Sequence, residues 1–251
     1  MLICCSFTKD WLLFENEVDL IDFQQSSLYY WILAAAMIAG NIFIILFVYL
    51  VLSKEETHPL LSYFTMPHKR DLVWVLATFI CLIFFMNGFL QQISTENKVM
   101  DGLTHNVLGM LDIFIFSTLA NEICFRRGIL GSLLKIPALR RYALVISAVL
   151  SAFYGVWQNN PAQMLGSFVL GLFFGWLYIR TKSITLPIIC HLVNNFIGIV
   201  VGLLLGQGRT MADCFPNALS FFIAMGILAI ASFIFFQIAR KKIYKAPFFL
   251  E

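Results

Sequence analysis

Apolar residues fall in seven blocks of 16 to 25 residues, separated by short polar stretches: Leu28 to Leu52, Leu72 to Leu90, Val107 to Phe125, Tyr142 to Trp157, Met164 to Ile179, Ile184 to Leu205 and Ala218 to Ile238. A helix that crosses a bilayer needs about 20 mainly apolar residues, so each block predicts a transmembrane helix. The fourth and fifth are short and need either an extra turn from flanking residues or local thinning of the bilayer. Ahead of the first block, Trp11, Phe14, Val18 and Ile21 recur at helical spacing, while Glu15, Asp19 and Asp22 take another face. That pattern predicts a helix lying in the interface. The fold expected is all-α, a polytopic transmembrane helix bundle of about seven spans, with no internal repeat and no linker dividing it. The small-residue steps Gly171–Gly175 and Gly198–Gly202–Gly206 let helices approach closely, and packing inside the monomer is the expectation over a dimer interface.

Composition agrees. The chain is 60% hydrophobic and 12% charged, against roughly 25% charged for soluble domains. Charge then orients the spans, because short cytoplasmic loops carry the excess of Lys and Arg. With the N-terminus outside and the C-terminus cytoplasmic, 14 of the 17 basic residues lie inside, leaving Lys9, Lys98 and Arg209 outside. The net charge of +3 is therefore a topological signal, and no nucleic-acid module is visible. Membrane lipid is the expected surrounding. The six cysteines form no CxxC pair, which argues against a disulfide framework or zinc knuckle. The opening "MLICCSFTKD" has no basic start, long apolar core or cleavage site, so it does not read as a signal peptide.

Polar groups inside a span are costly and usually face the bundle interior or a wet cavity. The third block holds Asp112, Asn121 and Glu122, with Arg126 at its end; the sixth holds His191, Asn194 and Asn195; Asn41 and Asn87 stand alone. Glu122 and Arg126 are spaced i, i+4 with the acid first, the favourable order for a pair. Either they form an ion pair that ends the helix near the headgroups, with Arg127 snorkelling to phosphate, or Arg126 fixes Glu122 toward a reactant. His191 and Asn195 share the same spacing, about 10 Å into their span. This His is either a satisfied core residue or a functional one whose partner Asn195 holds the ring or a substrate carbonyl. Pro187, four residues before His191, is expected to open a kink. Asp112 and Glu122 lie about 80° apart around an ideal helix, too far for contact, and Asp112 is expected to make a structural hydrogen bond.

The order "NEICFR" (Asn121 to Arg126), "FYGVW" (Phe153 to Trp157), "HLVNN" (His191 to Asn195) resembles the CPBP family, the CAAX prenyl and bacteriocin-processing intramembrane proteases also called Abi. The family pattern is EExxxR, FxxxH and HxxxN or HxxxD on successive helices. The resemblance implies a CPBP/CAAX-protease type of bundle, with residues 1–27 an interfacial segment, 28–69 the first span and cytoplasmic loop, 70–205 the family core, and 206–251 the last span and basic tail. By position it implies Glu122 and Arg126 as the supporting pair, His191 and Asn195 as the third motif, and a divalent metal such as zinc as candidate cofactor, with His191 its candidate ligand. Short loops and small size fit a bacterial cell membrane.

Two positions depart from the pattern. Asn121 replaces the Glu taken to activate water, and an amide has no useful basicity. Trp157 replaces the second-motif His, and indole offers only a donor. The expectation is a degenerate member with reduced or no peptidase activity that binds a membrane partner in regulation, bacteriocin immunity or peptide export. The alternative is an active endopeptidase that cuts prenylated, leader or pheromone-type peptides with Glu122 and His191 in a rearranged site. Counting from the inner face, Glu122 should lie about three residues deep and Trp157 at the outer end of its helix, remote from the other motifs.

Overall fold

In a computed structural model, residues 27–53, 63–65, 69–91, 106–154, 161–205 and 209–243 are described. The expected interfacial helix within residues 1–26 lies outside them, as does Trp157. The described residues are helical, in the order α1 (Ser27–Ser53), α2 (Lys69–Leu90), α3 (Val107–Lys135), α4 (Ala143–Tyr154), α5 (Pro161–Thr181), α6 (Thr185–Leu205) and α7 (Ala218–Lys242). Six have the length and apolarity to cross a membrane; α4, with 12 residues described, does not. Seven helices follow the seven apolar blocks, but the fourth is not shown as a full span.

The sequence fixes several helix starts. The Asn106 side chain accepts from the Gly109 N–H at 2.6 Å, and Asn217 accepts from the Ser220 N–H at 2.9 Å, each satisfying a donor the first turn leaves orphaned. Pro187 sits in the first turn of α6, where its missing N–H has no helical partner to lose, so the expected kink has no cause there. At the end of α5, Lys182 takes φ 56°, a left-handed turn that carries the chain back into α6.

The largest correction concerns α3. It does not stop at Phe125 but runs 29 residues to Lys135. Two stretches, Asp112–Phe116 and Glu122–Leu130, are π-helical, so that the Ser117 N–H reaches the Asp112 carbonyl and the Gly131 N–H the Arg126 carbonyl. Wide turns of this kind concentrate at functional sites. Both begin at a buried carboxylate.

Two hydrophobic cores hold the bundle together. Val75, Phe79 and Ile83 of α2 pack with Phe173, Phe174 and Leu177 of α5 and with Leu186 and Cys190 of α6. Val48 and Leu52 of α1 pack with Ile123 and Leu130 of α3 and with Ile184 and Ile188. α7 lies along α2, and α5 along α4. The second pairing depends on glycine: a Cβ on Gly171 would stand 3.0 Å from the Ala148 Cα. The outward faces remain apolar, as with Phe43 and Leu219, the surface a lipid-facing bundle presents.

Candidate functional site

Because α3 is longer than its apolar block, Glu122 lies near mid-helix rather than at the lip, roughly 15–20 Å before the helix end at about 1.5 Å per residue or somewhat less in the wide turns. Its side chain is 1% exposed. One oxygen, Oε1, is 2.8 Å from His191 Nδ1, and the other, Oε2, is 3.1 Å from Arg126 Nε. An ionised carboxylate only accepts, so Nδ1 carries the proton in this bond. Nε2 is then the ring's basic nitrogen. Phe174 stacks on the imidazole, its centroid 5.6 Å away at 28°, and the Arg126 guanidinium stands 5.6 Å from the same ring. One aromatic side chain thus orients both partners of the carboxylate.

The third motif closes the next turn. Asn195 Nδ2 donates to the Ile113 carbonyl at 2.9 Å and to Thr118 Oγ1 at 3.1 Å, while the Thr118 hydroxyl donates to the same carbonyl at 3.0 Å. Asn195 therefore fastens α6 to the first wide turn of α3 and does not hold His191. Asn121, in the place of the activating Glu, donates to Ser117 Oγ at 3.4 Å within its own helix. Asp112 makes the expected structural bond, its Oδ1 accepting from Asn41 Nδ2 at 2.8 Å.

These groups line one cavity of about 180 Å³, with Ser151, Gln163 and Ser167 on the opposite wall. It has room for several waters and enough polar groups to hold them. Arg127 departs from expectation. It is 3% exposed, stands 3.8 Å from the Tyr63 ring centroid and hydrogen-bonds Tyr178. It therefore ties the loop before α2 to α5 instead of snorkelling to phosphate. Burial, with the neighbouring Tyr178, holds the Tyr63 phenol above its ordinary pKa.

The geometry brings together Glu122, Arg126 and His191, and places Asn121 and Asn195 on the same cavity. A zinc ion does not fit this set. Catalytic zinc usually takes three protein ligands, and among the described residues no group of three His, Cys, Asp or Glu is placed to hold a metal. His191 Nδ1 is committed to Glu122, and the nearby Cys190 is buried in the α2–α5 core. Motif reading missed Phe174, Thr118 and Ser117. Phe174 is one of 26 phenylalanines and gave no signal. The hydroxyls carried one, being polar in a span, but Ser and Thr can bond their own helix and so are unremarkable there.

Six membrane-length helices around a buried carboxylate, imidazole and guanidinium define a polytopic helical membrane protein with an intramembrane polar site. A family model described as "Type II CAAX prenyl endopeptidase Rce1-like" matches residues 103–197, the segment that holds all three motifs. The match supports assignment of the chain to the CPBP/CAAX protease family. No curated protein and no solved structure matches the chain.

Proposed function

We propose that this CAAX-protease-like membrane protein has lost most or all of its peptidase chemistry and uses the retained cavity to bind a segment of a membrane partner. The observation that carries the reading is the engagement of Glu122. The carboxylate left in the first motif is held on both oxygens, by Arg126 and His191. A carboxylate stabilised in its charged form by a cation is a poorer base. Its neighbour Asn121 has none to offer. What survives is a rigid polar wall in hydrocarbon, suited to satisfying polar groups of another chain. The partner's biological setting, whether a regulator, a bacteriocin system or a peptide exporter, is a matter of the family's range.

The Glu122–His191 contact favours a second reading. A carboxylate on Nδ1 fixes the tautomer that makes Nε2 basic, the arrangement by which a histidine activates a nucleophile. In that case His191, not Glu122, would deprotonate a cavity water and the chain would cut peptides. The restoration experiment separates the two. Asn121→Glu with Trp157→His returns the family residues, and the purified double variant should cleave a prenylated CAAX peptide that the native chain leaves whole. Equal cleavage by both, lost in His191→Gln, would overturn the binding reading.

A further inference from the structure

The cavity has a second acidic group that the family motifs do not include. Asp112 is 1% exposed and lines the cavity. Asn41 donates to Oδ1, yet among the described residues Oδ2 has no hydrogen-bond partner. At the other pole, Arg126 Nη1 is buried and unpartnered as well. Groups of this kind are rare in native interiors because leaving them unsatisfied is costly, so each calls for a partner. The cavity is thus lined by a carboxylate and a guanidinium that each keep a buried, unpartnered polar atom. A peptide unit supplies the complements of both, an N–H and a C=O. Within a membrane such units are exposed only where a helix is interrupted, since a regular helix satisfies its own.

Beyond the cavity, the same helix has a stretch left open among the described residues. At 100° per residue, Gly198 and Gly202 share the face of α6 that carries His191 and Asn195. A Cβ built on either glycine meets nothing within 4 Å among the described residues. Among the described residues neither glycine has a packing neighbour, in contrast to Gly171, which closes on α4. Leu203 and Leu204 beside it are 76% and 80% exposed. Bare glycines permit close approach of another helix backbone. Asn195, one turn before Gly198, bonds to Ile113, the residue after Asp112. The open stripe and the open carboxylate oxygen are therefore joined through one hydrogen bond.

Building on the partner-binding reading, we infer that the occupant is a transmembrane helix with a break at mid-membrane: its regular part lies on Gly198 and Gly202, and an N–H freed at its break is accepted by Asp112 Oδ2. Arg126 Nη1 donates to a carbonyl freed at the same break. Asp112 thereby selects interrupted helices over continuous ones.

The test uses the full chain in liposomes, labelled with a donor dye, and two synthetic acceptor-labelled peptides of about 20 residues, the length of a span. One is a continuous leucine–alanine helix and the other carries a central Gly-Pro break. The native chain should bind the interrupted peptide about tenfold more tightly, the scale of one hydrogen bond to a charged group. Asp112→Asn keeps the Asn41 bond at Oδ1 and puts an NH2 donor in place of Oδ2. It should abolish that preference and leave binding of the continuous helix unchanged. Gly198→Leu with Gly202→Leu fills an open face without touching the core, and should weaken both peptides alike. If the native chain binds but all variants bind both peptides as it does, the inference is overturned while the partner-binding reading stands. If the native chain binds neither peptide, that reading falls and the inference with it.

Discussion

Removing the Glu122 side chain probes how the site is built. Arg126 is 3% exposed, and among the described residues its charged partner is Glu122, at 3.1 Å. Glu122→Ala leaves the guanidinium buried with no counter-ion, a change that costs about 3–5 kcal/mol when one partner of a buried pair is deleted. His191 Nδ1 also loses its acceptor, adding about 1–3 kcal/mol for an orphaned buried donor, less the relief its 19% exposure to the cavity allows. The single variant should therefore lose at least about 3 kcal/mol. Arg126→Leu in the same background removes the uncompensated charge while keeping apolar volume against Phe174, and should recover about 2 kcal/mol or more of coupling. Reversible unfolding of the four proteins of this cycle in mixed detergent micelles, followed by tryptophan fluorescence, measures both numbers. A loss below about 1 kcal/mol in Glu122→Ala, or additive effects in the double variant, would refute the account of a tightly held carboxylate.

Other variants follow from single contacts. Asn195→Leu strips a donor from the Ile113 carbonyl and from Thr118 Oγ1, and should cost about 1–3 kcal/mol in the same unfolding assay. Gly171→Ala drives a methyl to 3.0 Å from the Ala148 Cα and should cost about 1–3 kcal/mol, whereas Gly198→Ala, on an open face, should be neutral or stabilise by up to about 1 kcal/mol through helix propensity. Asp213, in the loop before α7, accepts from the Thr210 N–H at 2.6 Å and its hydroxyl at 3.0 Å, and these bonds hold its carboxyl below the ordinary range. Their contribution is present above the carboxyl's unfolded pKa and is lost as pH falls through the depressed folded value, so the protection factors of the amides across Thr210 to Cys214, taken against the intrinsic exchange rate at each pH, should fall on acidification. Asp213→Asn should remove most of that pH dependence.

Sequence patterning located the seven long helices of the described residues, because length and apolarity are strong signals when the solvent is lipid. It misjudged where α3 ends for a physical reason. "CFRRG" reads as a headgroup boundary when charges are assumed to seek water, but inside the bundle Arg126 pairs with Glu122, and Arg127 packs on Tyr63 and hydrogen-bonds Tyr178. Composition alone does not reveal an internal partner. The same error set the depth of Glu122 too shallow. The motifs did nominate Glu122, Arg126, His191 and Asn195, and the structure gathers them on one cavity. Their pairing was less legible. Spacing suggested that Asn195 holds His191, but one residue of π-helical widening in α3 leaves the Ile113 carbonyl to accept from Asn195, while Glu122 takes the ring. Wide turns leave no mark in a hydrophobic pattern.

The central claim is that the native chain binds and does not cut. Its most direct test is incubation of the purified native protein in proteoliposomes with a prenylated CAAX peptide, with products resolved by mass. The account predicts no cleavage above that of the His191→Gln variant. Cleavage by the native chain that disappears in His191→Gln, with both proteins folded, would contradict it.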